Sequence, residues 1–338
     1  MVSQQAKAWQ GLMQSRFFWP LAALLLLLLV NTLIDPQFLA IRLQDGQLYG
    51  TPIDILNRSV PVALLALGMT IVIATAGIDL SVGAVMAIAG AVCANLLVAT
   101  ELPVTLVVLL GLGSGLLCGL VNASLIAFMG IQPIVATLLL MVTGRGIAQL
   151  LNGGEIVTFQ APSYQFLGSG DWLGLPMPIW IFVLVFALSQ WLLRRTALGL
   201  FIEAVGCNAS ASRFNGINDR VVKLSAYLLS GLCAALAGII VSADIQGADA
   251  NNAGLWLELD AILAVVIGGA SLAGGRFSIP LSLLGVLIIQ TLSTSIMLSG
   301  LPAQYNLLIK ALVVVLVLLL QAPAFRQQLQ QLVRRKVV

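Results

Sequence analysis

The sequence predicts an all-α integral membrane protein: one helical bundle of about ten transmembrane helices, with an inverted repeat and broken helices. The first observation is composition, because 60% of the 338 residues are hydrophobic and only 9% are charged, whereas a soluble domain is about 25% charged. The second is that apolar runs of about 20 residues, the length that crosses a bilayer, recur along the chain. We therefore expect a single transmembrane domain over residues 1–338.

Ten hydrophobic segments, each bounded by Pro, Gly or a charged residue, are the predicted spans. They cover residues 17–34, 60–78, 82–100, 104–129, 131–151, 178–193, 224–246, 259–273, 278–298 and 305–321. Glycines interrupt this pattern twice, in ATAGIDLSVG at 74–83 and in IGGASLAGGRF at 267–277. Irregular backbone inside a membrane must be covered by protein or water, so these stretches predict re-entrant or half-length helices.

The basic residues predict that both termini lie in the cytoplasm. With the N-terminus inside, two basic residues precede the first span, five lie in the loop 194–223, one is Arg276 and four lie in the tail, which makes 12 of 16. The stretch 151–178 contains no Lys or Arg, as expected of a translocated loop. Arg42 and Arg58 are the basic residues expected outside.

The order of the spans predicts an inverted repeat. Spans two to five begin outside, spans seven to ten begin inside, and each half contains one of the glycine-rich interruptions. Paired interrupted helices in oppositely oriented halves indicate a transport pathway near the bilayer midplane. The alternative is that these glycines only allow neighbouring helices to pack closely.

Several chemistries are excluded by residue content. The chain has no His, so a Ser-His-Asp triad, a His-ligated metal and a His proton relay are ruled out. Its four cysteines show no CxxC spacing, and its four lysines are not part of a GxxxxGK[ST] phosphate loop. The net charge of +3 gives no signal for nucleic acid. We expect no cofactor, no metal and no ATP site on this chain.

The longest polar stretch expected in the cytoplasm is the loop 194–223, which contains IEAVGCNASASRFNGIN at 202–218. Asn208 is placed to cap a short helix over 209–214, and Gly216 is placed to close it in a left-handed conformation. A helix this short needs a docking surface to be ordered. The alternative is an ordinary positively charged loop. Its five basic residues would explain the orientation of the chain, but they would not explain why Glu203, Gly206, Asn208 and Gly216 are present.

Three stretches resemble the permease subunits of sugar-type ABC importers, the ribose, arabinose and xylose class. They are EAVGCNASASRFNGIN at 203–218, GIDLSVGAVMAIAG at 77–90 and LELDAILAVVIGGASLAGG at 257–275. The resemblance covers about residues 53–315. GTPIDILNR at 50–58 and ADANNAGLWLELDAILAVVIGG at 248–269 are most similar to galactofuranose importer permeases.

The resemblance implies a permease of the bacterial inner membrane that moves a monosaccharide inward, with galactofuranose as the expected sugar. It also implies three kinds of partner: an ABC ATPase, a periplasmic sugar-binding protein, and a second permease copy or a paralogous permease. ATP would then be hydrolysed by another subunit, and this chain would not be an enzyme. The residues expected to couple to the ATPase are Glu203, Gly206, Asn208, Arg213 and Gly216.

Polar residues within or beside the spans are the candidates for the pathway and its gate. They are Asp79, Ser81, Asn122, Gln132, Glu258 and Asp260. Asp79 precedes a predicted helix start, so we expect backbone N–H groups to hold its carboxylate and shape the broken segment. First-turn charge, which complements the helix dipole, is the simpler explanation of Glu258 and Asp260. Asn122 and Gln132 suit either a sugar hydroxyl or a neighbouring helix.

Two rival functions remain open. An ion-coupled secondary sugar transporter would need a coupling-ion site, for which Asp79 and Asp260 are the candidates. An integral membrane enzyme is disfavoured because the chain lacks His and clustered Asp motifs. Outside the membrane, Arg42 and Arg58 are candidates for docking an acidic patch on a binding protein, or for anchoring their loop to lipid headgroups.

Overall fold

The computed structural model describes residues 17–44, 46–300, 302 and 305–321. Predictions that depend on Lys7, Arg16 or the basic tail from Arg326 onward lie outside these residues. Within them the chain forms thirteen α-helices and six short strands.

The helices follow the predicted apolar segments, with short helices added in the loops. They are α1 Phe18–Ile34, α2 Thr51–Ala74, α3 Val82–Ala99, α4 Val104–Ala123, α5 Pro133–Leu151, α6 Pro162–Ser169, α7 Met177–Arg195, α8 Ala197–Cys207, α9 Ala209–Phe214, α10 Asp219–Asp244, α11 Leu257–Ile267, α12 Ile279–Leu298 and α13 Tyr305–Gln321. Every predicted segment overlaps one of these helices, which confirms the all-α membrane fold, although α2 begins nine residues before the predicted segment 60–78.

Seven helices of the described chain are long and apolar enough to cross a membrane. They are α2, α3, α4 together with the π-helical turn Ser124–Phe128, α5, α7, α10 and α12. The predicted segment 259–273 does not form a full membrane span, because α11 has only 11 residues and ends at Ile267, where two glycines follow. Gly269 takes a φ of +80°, which a helix does not accommodate.

Short strand pairs gather at one end of the bundle, which we call the hairpin end. The strands are β1 Arg42–Gln44, β2 Gln47–Tyr49, β3 Val157–Thr158, β4 Asp171–Trp172, β5 Leu175–Pro176 and β6 Gly247–Ala248. β1 pairs with β2, β3 with β6 and β4 with β5, all antiparallel. Leu48 N donates to Gly174 O at 2.9 Å, which ties the first hairpin to the third strand pair.

Helix α10 is the centre of the bundle and packs against α2, α3 and α4. A Cβ atom on Gly238 would lie 2.1 Å from the backbone oxygen of Met86 in α3, and one on Gly231 would lie 2.3 Å from that of Gly115 in α4. These helices therefore meet backbone to backbone, the small-residue packing that holds helices together where lipid removes the hydrophobic driving force.

Three irregular segments interrupt the helices around α10. The first break, residues 75–81, separates α2 from α3, and the second break, residues 268–278, separates α11 from α12. Both lie where the glycine-rich stretches predict them. The third, which we call the deep loop, is residues 249–256 before α11. The sequence did not predict irregular backbone at this segment. The inverted repeat stays a prediction.

Candidate functional site

Asp79, in the first break, is the centre of a buried polar cluster. Its side chain is only 2% exposed. Oδ1 accepts hydrogen bonds from the Ser81 backbone N at 3.0 Å and the Ser81 hydroxyl at 2.6 Å, and Oδ2 accepts one from the Ser230 hydroxyl at 2.8 Å. Asn122 Nδ2 donates to Ser81 Oγ at 2.8 Å. The cluster thus joins the first break to α4 and α10.

The sequence predicts backbone N–H partners for Asp79, and the structure supplies one. The other close donors are hydroxyls, because Ser81 rather than Asp79 is the residue that immediately precedes α3. The Ser230 partner, 151 residues away, could not be read from local spacing. The carboxylate is therefore an anchor between three elements as well as a local turn former.

The two predicted breaks meet each other and the loop 194–223, which we call the coupling loop, at the end opposite the hairpins, which we call the coupling end. Gly275 N donates to Ala74 O at 3.0 Å, so the second break bonds the end of α2. A Cβ atom on Gly206 of α8 would lie 1.8 Å from Ala74 O and 2.6 Å from Gly275 N. Because that position has no side chain, α8 lies directly on the end of α2, next to the first break, and on the second break.

A cavity of about 300 Å³ lies between the first break, α8, α9 and α10. Its lining includes Gly77, Cys207, Lys223 and Tyr227. The Tyr227 hydroxyl is buried there and finds no hydrogen-bond partner among the residues that the structure describes. The junction of the breaks with the coupling loop is therefore not fully packed, which leaves room for small movements at this contact.

The short helix α9 forms as the sequence predicts. Asn208 Oδ1 accepts a hydrogen bond from Ala211 N at 2.9 Å, and Gly216 takes a φ of +81° after the helix. Arg213 donates through Nη2 and Nε to the carboxylate of Asp219, with the Nη2–Oδ2 distance at 2.8 Å. These hydrogen bonds raise the pKa of Arg213 above its ordinary value. Glu203 Oε1 lies 4.0 Å from Arg194 Nη1.

Phe214, at the end of α9, is a residue that the sequence reading missed. Its side chain is 93% exposed. An aromatic ring left in water on an ordered helix is typical of a surface that a partner covers. Phe214 is part of the motif at 202–218. Apolar side chains on short helices are usually buried, so the sequence alone does not distinguish a buried Phe214 from an exposed one.

The deep loop is held by α5. Arg145 Nη1 donates to Ala250 O at 3.0 Å and to Ala253 O at 2.6 Å. A Cβ atom on Gly254 would lie 2.5 Å from Gly83 O, so the loop touches the first turn of α3. Glu258 follows the loop, and its carboxylate lies 2.6 Å from the Cβ position of Gly83.

The deep loop enters the bundle from β6 and ends at the start of a short helix. The 11 residues of α11 cover about 16 Å at 1.5 Å per residue, roughly half the thickness of a hydrocarbon core. This half-length helix runs on towards the coupling end. Glu258 and Asp260 lie in its first turn, as predicted.

Asp260 has a charged partner that the sequence did not indicate. Lys310 Nζ of α13 lies 2.8 Å from Asp260 Oδ2, and the two side chains are only 13% and 14% exposed. Burial of both groups in one ion pair explains how each is tolerated at membrane depth. Gln132, by contrast, is exposed at the start of α5 and joins none of these clusters.

Arg42 and Arg58 both lie towards the hairpin end and are exposed. Arg42 lies in β1 and donates to Gln37 Oε1 at 3.0 Å. Arg58 lies in α2 and interacts electrostatically with Asp244 at the end of α10. Among the described residues, no group of three or more Cys, Asp or Glu side chains could hold a metal ion.

A family model described as branched-chain amino acid transport system / permease component matches residues 51–318. A galactofuranose transporter permease protein of Escherichia coli K12 is 60% identical over 92% of this chain and 92% of the relative. A fructose import permease protein of Bifidobacterium longum is 38% identical over 97% and 93%, and a ribose import permease protein of Escherichia coli K12 is 38% identical over 93% and 94%. No solved structure matches the chain.

Proposed function

We propose that this chain is the membrane subunit of an ATP-driven sugar importer. The chain belongs to the permease-component family of branched-chain amino acid transport systems. The sugar is a monosaccharide, galactofuranose. The single observation that carries this assignment is the 60% identity to a galactofuranose transporter permease over 92% of both chains. The fructose and ribose import permeases at 38% identity support the wider class, import of a monosaccharide.

The polar clusters argue against the rival ion-coupled mechanism. A coupling ion needs carboxylates that can bind and release it, but Asp79 is already bonded by Ser81 and Ser230. The other candidate, Asp260, is paired with Lys310. The energy for uptake therefore comes from a partner, and since no phosphate loop is present in this sequence, that partner is an ATPase subunit.

The coupling loop is the proposed ATPase-docking surface. Its residues Glu203, Gly206, Asn208, Arg213 and Gly216 build α8 and α9, and Phe214 presents an exposed ring beside them. Because Gly206 touches Ala74 and Gly275, displacement of α8 would be felt directly by both breaks. This contact is a short mechanical path from the ATPase to the membrane core.

We place the coupling end and both termini in the cytoplasm and the hairpin end in the periplasm of the inner membrane. A periplasmic binding protein would then dock at the hairpin end, where Arg42 and Arg58 offer positive charge. The pore is completed by a second permease copy or a paralogous permease. In this proposal residues 1–338 act as one permease domain.

Reconstitution in vesicles tests the proposal. The permease, an ABC ATPase and a galactofuranose-loaded binding protein are expected to take up sugar only when ATP is supplied on the ATPase side. The permease alone is expected to take up none. ATP-independent uptake by the lone permease, driven by an ion gradient, would contradict the importer assignment and favour the secondary transporter.

Phe214→Ala tests the docking surface. Loss of a buried aromatic anchor at an interface costs about 2–4 kcal/mol, so co-purification of the ATPase should fall by more than tenfold while membrane insertion stays normal. Trp191→Ala is the matched control, because Trp191 is a 62% exposed aromatic on the span α7. Equal ATPase recovery with both variants would remove Phe214 from the interface.

Cysteine labelling tests the orientation. Ser163 and Ser210 are both exposed, Ser163 in α6 on the hairpin side and Ser210 in α9. With the native thiols removed, an impermeant reagent added outside intact cells with a permeabilised outer membrane should label Ser163→Cys and not Ser210→Cys. The opposite pattern would invert the proposed topology.

A further inference from the structure

The deep loop carries polar groups where the depth of the bundle favours apolar ones. Asn251 and Asn252 are exposed, and so is Trp256, at 53%. Gln149 Nε2 donates to Asn251 Oδ1 at 2.8 Å, and Asn252 Nδ2 donates to Asp249 Oδ2 at 2.7 Å. Among the described residues, Asn251 Nδ2 and Asn252 Oδ1 therefore have no partner, so the loop presents one free donor and one free acceptor.

Lipid is a poor neighbour for this surface. The helix that follows the loop, α11, has 11 residues and covers about 16 Å between the loop and the second break, so the loop ends about halfway through a hydrocarbon core of ~30 Å. Irregular backbone and unpaired amides at membrane depth are tolerated only where protein or water covers them. The exposed side of the deep loop therefore faces a water-filled cavity or the second permease.

Trp256 has an unusual backbone conformation. It takes a φ of +66°, the left-handed region, which an aromatic residue rarely adopts. The loop is coiled into successive turns, with Ala253 N bonded to Asp249 O at 2.9 Å and Leu255 N bonded to Asn252 O at 3.0 Å. Strain of this kind persists where the surroundings require one side-chain position, and it is common at ligand contacts. Here it fixes an exposed ring directly after the free amides.

We propose that Trp256, Asn251 and Asn252 form a weak sugar-contact site inside the translocation pathway. The ring of Trp256 stacks on the C–H face of a monosaccharide, Asn251 Nδ2 donates to a hydroxyl oxygen, and Asn252 Oδ1 accepts from a hydroxyl group. This inference rests on the proposed function, since it names contacts for the sugar that the importer carries.

The chemistry of the loop fits a neutral polyol better than an ion. Asp249, the carboxylate of the loop, is occupied by Asn252 Nδ2 and by the backbone N atoms of Asn251 and Asn252 at 3.0 and 3.1 Å. Arg145 is occupied by two backbone carbonyls. What remains free is uncharged amide and aromatic surface. A few such contacts suffice for passage, because a pathway site must also release its cargo.

Substitution of Trp256 is the first test, in the reconstituted complex of permease, ATPase and sugar-loaded binding protein. Trp256→Gly removes the ring and also relieves the strain of a positive φ. We expect sugar transported per ATP hydrolysed to fall about tenfold, near the upper value of an aromatic contact, with ATP hydrolysis still stimulated by the binding protein. Trp256→Phe should restore most transport, and Trp191→Ala should behave as the native chain.

The amides are tested separately. Asn252→Ala and Asn251→Ala should each lower transport per ATP by about fivefold, the value of one hydrogen bond of ~1 kcal/mol. In a variant without native cysteines, Asn252→Cys should react with a small charged thiol reagent, and galactofuranose should slow that reaction. Leu184→Cys is the matched control, since Leu184 is 60% exposed on α7 and is expected to face lipid.

The outcomes separate this inference from the proposed function. If the native complex takes up no sugar with ATP, the proposed function fails and the site fails with it. If the native complex works and Trp256→Gly transports equally well per ATP, only the site is wrong. Loss of permease assembly or of stimulated ATP hydrolysis with Trp256→Gly would also overturn it, because the ring would then serve packing against the second permease.

Discussion

The first break and the deep loop both interrupt the membrane bundle beside the first turn of α3, but they satisfy their polar groups differently. In the first break, Asp79 is 2% exposed and bonded from α10 and by its own neighbour Ser81. In the deep loop, Asn251 and Asn252 are exposed, and Asn251 Nδ2 and Asn252 Oδ1 have no hydrogen-bond partner within the described part of the chain. Irregular backbone survives in a membrane when it is buried in protein or lines water, and this molecule uses both solutions.

The difference indicates different roles. A buried break whose central carboxylate is hydrogen-bonded to neighbouring elements transmits force, because movement at one side must move the elements bonded to it. The contact of Gly206 with Ala74 and Gly275 places the coupling loop on the end of α2, where that break begins, and on the second break. An exposed loop with unpaired groups is suited to touching a passing solute. The predictions below separate the two roles, from the largest expected effect to the smallest.

Replacement of Asp79 should have the largest effect. Asp79→Leu leaves the hydroxyls of Ser81 and Ser230 without their acceptor, at a cost of roughly 1–3 kcal/mol for each buried group. We expect loss of uptake and reduced thermal stability in detergent. Asp79→Asn keeps an acceptor oxygen and should be mild at matched membrane levels. Equal and complete loss in both variants would show that the charge itself is needed, and would return attention to ion coupling.

Gly206→Ala should be the next most damaging change, because its Cβ would lie 1.8 Å from Ala74 O. Overpacking of this kind costs about 1–3 kcal/mol and would displace α8 from the breaks. We expect ATP hydrolysis to continue while sugar uptake falls by tenfold or more. Gly113→Ala in α4 is the control, since a Cβ there meets open space and the backbone is helical. If the control loses coupling more severely, contact with the breaks is not the route of transmission.

Arg145→Leu should release the deep loop while leaving the first break intact. It removes two hydrogen bonds to backbone carbonyls, each worth about 1.5–3 kcal/mol for a charged donor. Hydrogen exchange should rise at Ala253 and its neighbours, and uptake should fall several-fold with little change in ATP hydrolysis. Arg145→Lys, which can reach one carbonyl, should lie between. Unchanged exchange in the leucine variant would mean that packing against Gly83 holds the loop by itself.

Ser230→Ala should have the smallest effect on the first break. It removes one of several hydrogen bonds to the Asp79 carboxylate, worth ~1 kcal/mol, so we expect a melting temperature lower by about 2 °C and near-native uptake. Ser242→Ala on the same helix is the control, because Ser242 bonds Tyr164 at 2.6 Å and not Asp79. A much larger loss of uptake for Ser230→Ala than for Ser242→Ala at equal stability would give Ser230 a direct part in transport.

The sequence by itself determined the features that depend on neighbouring residues. Apolar run length predicts which segments cross the membrane. Each of the ten predicted segments overlaps a helix, and seven helices of the described chain are long and apolar enough to span. Asn208 and Gly216 act through their own backbone surroundings, so the short helix between them was predictable, cap and terminus included. The positions of both glycine-rich breaks were also predicted. In the second break Gly269, Gly274 and Gly275 take positive φ, as glycine permits, whereas in the first the residue with positive φ is Ala76.

Tertiary structure alone decided which distant groups meet. Asp79 finds Ser230 at a separation of 151 residues, Arg145 finds Ala250 at 105 and Lys310 finds Asp260 at 50. Hydropathy carries no information on such pairings, because a polar residue in a span has the same average hydropathy whichever helix it faces. The stretch 249–256 has the composition of an ordinary surface loop. Its descent to Gly83 depends on the carbonyl contacts of Arg145 and on two glycines meeting without side chains, and these exist only once the helices are packed.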